Sequence, residues 1–232
     1  MSTVKTNAVT AQTTNSALTL TGNGSGLVTI GDGALTFPDA DGSASQVIQT
    51  DGSGALSFVT AAGGAWTFVS TTDASASATV DFTGIDSSAD VWAVVVSGAR
   101  PTTDYQFLTM RTSTDNGSSF HTSGYAWRTM AAAAQASSSD SFIYMHGSST
   151  AFRMRSTASD SCGFTVYIRK PSNATFETTM DWAGGGHAEA LPVNVTGSGV
   201  YLTAENLDAI RFMFASGTIA EGTFDLYKLA QA

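Results

Sequence analysis

Between residues 17 and 60 the large apolar residues recur two positions apart: Leu18 with Leu20, Val28 with Ile30, Leu35 with Phe37, then Val47, then Leu56 with Phe58. A spacing of two puts such side chains on one face of an extended strand. The stretches between them, 22–26, 31–33, 38–43 and 51–54, are built mainly of Gly, Asp, Asn and Ser. These residues accept positive φ or close turns through their side chains. The pattern predicts very short strands, each ended by a turn. One chain then has too few apolar side chains here to offset the cost of ordering the segment. Three copies wound about a common axis would cover one another's faces. Residues 16–62 thus read as one chain's share of an intertwined trimeric β-prism shaft, with Leu18, Leu20, Val28, Ile30, Leu35, Phe37, Val47, Leu56 and Phe58 as its core. A flexible Gly/Ser linker is the alternative.

Residues 1–15 show no periodicity and are rich in Thr, Ala, Asn and Gln, as expected of a tether. Beyond the joint at 61–64 aromatic residues become denser. Candidate strands fall at 66–70, 78–82, 91–96, 105–110, 142–145, 151–155, 164–168, 175–180, 199–202, 209–214 and 222–227. Polar turns between them predict an antiparallel β-sandwich head from residue 65 to 232. Along two of these runs Phe152, Met154, Phe164 and Val166 alternate with Arg153, Arg155, Tyr167 and Arg169, as in strands with one wet face. Only 128–135 and 204–209 suit a helical turn. The first is alanine-rich without an amphipathic stripe, and reads equally as a loop.

Charged residues make up only 12% of the 232, and the net charge is −9. Clustered Lys and Arg are missing, which argues against a nucleic-acid partner. No run approaches the roughly 18 apolar residues of a spanning helix, and the N-terminus lacks the apolar stretch of an export signal. The reading is a chain made without membrane insertion, so its four Asn-x-Ser/Thr sequons, at Asn23, Asn116, Asn173 and Asn194, read as chance. A single cysteine, Cys162, excludes an intrachain disulfide and a multi-cysteine zinc site.

Motifs of catalysis and cofactor binding are not found. No window fits Gly-x-Ser-x-Gly. The glycines at 22–26 and 184–186 fit neither a P-loop nor a dinucleotide fingerprint and read as turn formers. His187-Ala-Glu189 has deaminase spacing but no Pro-Cys-x-x-Cys after it. Asp39-Ala-Asp41-Gly42 starts like a calcium loop, yet Thr50 stands where the bidentate Glu belongs. We expect no enzyme, no cofactor and no metal. His121, His146 and His187 sit in Ser/Gly-rich surroundings and read as solvated loop residues. The best binding candidates are His121, Tyr125, Trp127, Trp182 and His187, because rings and directed hydrogen bonds on a rigid β scaffold let a weakly charged surface hold a sugar or a protein. The competing reading places Tyr125, Trp127 and Trp182 in the core or a trimer interface.

Three segments carry a family resemblance: the shaft string "SALTLTGNGSGLVTIGDGALTFPDADGSASQVIQTDGSGALSFV", then "DFTGIDSSADVWAVVVSGARPTTDYQFLTMRTSTDNGSSF", then "GTIAEGTFDLYKLA". In this order they resemble fibre and spike proteins of tailed bacteriophages, especially those of marine and cyanobacterial hosts. In such heads "FTGID" closes a strand and "STDNG" turns a hairpin, while Lys228 stands where glycine is usual. The resemblance implies a homotrimeric virion protein, made in the host bacterial cytoplasm, with a jelly-roll-like head. Its N-terminus would attach to other virion proteins, and the head would bind a glycan or protein of the host surface. A capsid-decorating head fibre and a polysaccharide-degrading tail spike are the alternatives.

Overall fold

The computed structural model describes residues 29–30, 35–38, 40–61, 64–130, 134–146, 153–188 and 191–230. The expected tether at 1–15 and the expected shaft residues Leu18, Leu20 and Val28 lie outside them. The described chain is all-β, without a helix, and divides into two compact units, residues 1–62 and 63–232.

In the first unit β1 (Thr29–Ile30) pairs antiparallel with β2 (Leu35–Thr36), and β3 (Gln46–Thr50) with β4 (Leu56–Thr60). The link from β3 to β4 is set by its sequence. The Asp51 carboxylate accepts the Ser53 and Ala55 N–H groups at 2.7 and 3.0 Å, which lowers its pKa, and Gly52 and Gly54 take φ of 79° and 97°. Thr36 N–H donates to Gly54 O at 2.7 Å, joining the two hairpins. No residue of this unit whose side chain is described is buried. Leu35, Val47 and Ile48 remain 39%, 47% and 49% exposed, whereas Phe37, Leu56 and Phe58 are partly covered.

The second unit is two antiparallel sheets over one core, the arrangement of a β-sandwich. Its strands are β5 (Trp66–Ser77), β6 (Val80–Thr83), β7 (Val91–Pro101), β8 (Leu108–Ser113), β9 (Tyr125–Met130), β10 (Ala134–Asp140), β11 (Ile143–Tyr144), β12 (Ser161–Arg169), β13 (Thr179–Ala188), β14 (Leu191–Tyr201), β15 (Ala209–Phe214) and β16 (Ile219–Leu229). The larger sheet runs β10-β9-β14-β13-β12-β7-β16-β5 and the smaller β11-β8-β15-β6. From β5 to β8 the chain alternates between sheets, and it does so again from β14 to β16. First and last strands lie side by side, closed by Ala230 N–H donating to Ala65 O at 2.8 Å.

Alternation explains the packing. On β12, Cys162, Phe164, Val166 and Ile168 are buried while the residues between them are not. They meet Leu108, Met110, Ile210, Phe212 and Phe214 of the smaller sheet in one apolar cluster, where Phe212 and Phe224 tilt against each other at 5.6 Å. Buried indoles find acceptors: Trp182 Nε1 donates to Met145 O at 2.9 Å, and Trp92 Nε1 to Asp86 O at 3.2 Å. Cys162 is inert, its pKa pushed up to about 12 by burial.

Several local expectations are corrected. Residues 128–135 belong mostly to β9 and β10, and 204–209 form no helical turn. Residues 153–155 make an isolated bridge from Met154 to Gln106 instead of a strand. "STDNG" turns the chain at Asn116 and Gly117 (φ 55° and 81°), but β9 beyond it joins the other sheet, so no hairpin forms. Lys228 continues β16 opposite Trp92 without a turn. Glycines 184–186, read as turn formers, are interior to β13. A Cβ on Gly184, Gly185 or Gly186 would stand 2.1, 2.2 or 2.1 Å from a carbonyl oxygen of an adjacent strand, so only glycine lets these strands approach.

Candidate functional site

Five strands of the larger sheet turn a chemically ordered row outward. Register pairs Phe68 of β5 with Tyr227 of β16, Tyr227 with Ala93 of β7, Ala93 with Tyr167 of β12, and Tyr167 with Asp181 of β13. Two further pairings extend it to Ser198 of β14 and Arg128 of β9. Seven strands at about 4.8 Å spacing give a track of about 29 Å.

One end of the row is aromatic. Trp66, 39% exposed, leans to within 5.9 Å of the Tyr167 ring, and Phe68, 54% exposed, meets Tyr227 edge-on at 5.7 Å. Between these rings Ala93, Val95 and Thr165 form a floor of small side chains, leaving a groove of about 340 Å³ lined by Trp66, Tyr167 and Tyr227. Rings over a small-residue floor offer stacking surface, and the Tyr and Thr hydroxyls offer hydrogen bonds. The row then becomes polar at Asp181, which receives Arg169 in a bidentate pair (2.6 and 3.1 Å) that raises the guanidinium pKa. This pair fixes the rim beside Tyr167. A second shallow groove of about 330 Å³ lies over β9, β13 and β14, lined by Arg128, Thr179, Ser198 and Val200.

The five residues singled out from the sequence do not converge as a group, although the Tyr125 hydroxyl donates to His121 O at 3.4 Å. Tyr125, Trp127 and Trp182 are buried in the core, as the competing reading had them. The Tyr125 hydroxyl accepts the Thr112 N–H at 2.8 Å, and burial raises its pKa. Trp127 Nε1 donates to Asp140 at 3.3 Å. His121 lies partly exposed in a loop, stacked on Tyr201 at 4.2 Å with Glu205 3.8 Å away. His187 is on β13, not in a loop. Its Nδ1 lies 3.0 Å from Asp160, a fully buried carboxylate that also receives Arg155 at 2.9 Å. His146 differs most from expectation: it is fully buried beside Phe164 at 4.9 Å, with neither ring nitrogen hydrogen-bonded, and desolvation pushes its pKa down to about 4.

The outward aromatic row escaped sequence reading because its members lie up to 161 positions apart, from Trp66 to Tyr227, and only sheet order unites them. The available signal was local: two rings two positions apart, Trp66 and Phe68, which share one face of an extended run. No group of His, Cys, Asp or Glu among the described residues is placed to hold a metal ion. No protein-family model, curated protein or solved structure matches the chain.

Proposed function

We propose that the chain is a non-catalytic adhesion protein of a bacteriophage particle: a homotrimeric tail fibre or spike, joined to other virion proteins through its N-terminal end, whose head binds a host-surface glycan. The observation that carries this reading is the outward row from Phe68 to Arg128, with its aromatic groove at Trp66, Tyr167 and Tyr227. A surface with few charges holds sugars by stacking on rings and by directed hydrogen bonds, and both are present along one rigid sheet.

Two features support the rest. Taking β5, β6, β7, β8, β11, β12, β15 and β16 as eight successive strands, the sheets run 1-8-3-6 and 2-7-4-5, the order of a jelly roll, with β9–β10 and β13–β14 as additions that widen one sheet. In the first unit Leu35, Val47 and Ile48 stay exposed in the single chain, which favours a shaft completed by two further copies. Three heads on one shaft would turn weak single contacts into firm attachment.

The experiment is binding of the full chain to immobilised host-surface polysaccharide, with Trp66→Ala and Tyr167→Ala beside it. Each substitution is expected to weaken binding about tenfold, on the scale of one stacking contact. The midpoint of unfolding should shift little, since both rings lie on the outer face. Undiminished binding by both variants would remove the groove from the reading, and release of reducing ends from the polysaccharide would overturn its non-catalytic character.

A further inference from the structure

The outer face of the smaller sheet carries a different chemistry, independent of the adhesion reading. Arg111 of β8 and Arg211 of β15 are register partners on adjacent strands. Their Cβ atoms are therefore about 5 Å apart, a spacing at which like charges oppose each other. Asp81 of β6, the next residue in the row, grips Arg211 in a bidentate pair at 2.7 and 2.6 Å. Arg111 has no such partner. Its Nε donates to Ser141 O at 3.0 Å, and among the described residues no carboxylate reaches its guanidinium. Arg100, Arg155, Arg169 and Arg211 each hold an acid, whereas Arg111, although only partly exposed and beside a second arginine, does not.

Both guanidinium groups are held in place. Arg111 lies over the Phe142 ring at 4.1 Å and Arg211 over Phe120 at 3.9 Å, and each is only partly exposed. Desolvation, with Arg211 contributing, lowers the Arg111 pKa. A partly buried cation without a counter-ion is costly, and an anion entering beside it recovers that cost. A guanidinium fork suits a planar carboxylate, which accepts two parallel N–H bonds.

We propose that Arg111 and Arg211 form a binding site for a carboxylate-bearing ligand. The Arg111 Nη groups supply the fork, Arg211 supplies the second charge, and Asp81 keeps Arg211 from turning away. Phe142 and Phe120 hold the two guanidinium planes.

The test follows the arginine Nε–Hε resonances of the full chain during titration with sodium glucuronate, with glucose and sodium sulfate as separate arms at matched ionic strength. Glucuronate is expected to shift the Arg111 and Arg211 signals in a saturable way while glucose leaves them in place. Arg111→Gln should weaken the glucuronate response at least tenfold. Arg111→Lys, which keeps the charge but loses the fork, should fall between the two and decides the matter if Arg111→Gln does not fold. No glucuronate shift, or equal affinity in wild type and Arg111→Lys, overturns the proposal. Sulfate binding as tightly as glucuronate overturns the carboxylate assignment.

Discussion

His146 carries a pH dependence that can be worked out in sign. In the unfolded chain its imidazole titrates near 6.5, whereas burial holds it near 4 in the fold. Above about pH 6.5 the ring is neutral in both states and contributes nothing to the slope. As pH falls from there toward 4 the unfolded chain takes up a proton that the folded chain refuses, so stability falls by about 1.4 kcal/mol per unit, about 3 kcal/mol in all. Denaturant unfolding of wild type and His146→Leu at pH 7 and pH 4.5 should show the variant losing less by about 2 kcal/mol. Equal losses would show that the ring is hydrated in the fold. At Gly185 the reasoning is steric: a Cβ there would sit 2.2 Å from Val193 O, against backbone that has no room to move. Gly185→Ala should destabilise the head by about 3 kcal/mol or more. Gly52→Ala, with nothing within 4 Å but φ at 79°, should cost only about 1 kcal/mol, for backbone strain alone.

At the scale of elements, legibility tracked the side chains. Where large apolar residues alternate cleanly, as along 164–168 and 209–214, the sequence reading falls within β12 and coincides with β15. Reading failed where a strand is built of small residues. β10 is Ala-Gln-Ala-Ser-Ser-Ser-Asp and much of β13 is Trp-Ala-Gly-Gly-Gly-His-Ala, so neither presents a period of two in hydrophobicity. Their extended state is imposed by neighbouring strands, a tertiary effect that propensity does not report. The run at 151–155 failed in the opposite sense: its alternation is clean, yet among its described residues, 153–155, only Met154 is bridged, and the arginines are used by Tyr105 and Asp160. Candidate site residues were legible as aromatic rings but not as a site. A ring's facing depends on strand parity and sheet neighbours, and Trp127 and Trp182 turn inward while Trp66 turns outward.

For the whole molecule the central expectation is the oligomer. If copies of the first unit cover one another's Val47 and Ile48, then Val47→Asp with Ile48→Asp should split the assembly, because burying carboxylates in an apolar seam is strongly unfavourable. Light scattering is expected to give a mass near three times 23.9 kDa for wild type and nearer one chain for the double variant. A wild-type monomer would remove the shaft from the reading. Assembly should also hold in high salt, since an apolar seam has little charge to screen. The closure of the head by β5 against β16 has a mechanical side. Any tug that enters the head through residue 64 and runs along β5 strains a ladder that reaches from Trp66–Leu229 to Ser77–Ile219. Loaded along their length those bonds would share the strain instead of opening one by one, because the strand that begins the second unit is fastened along its length to the strand that ends it.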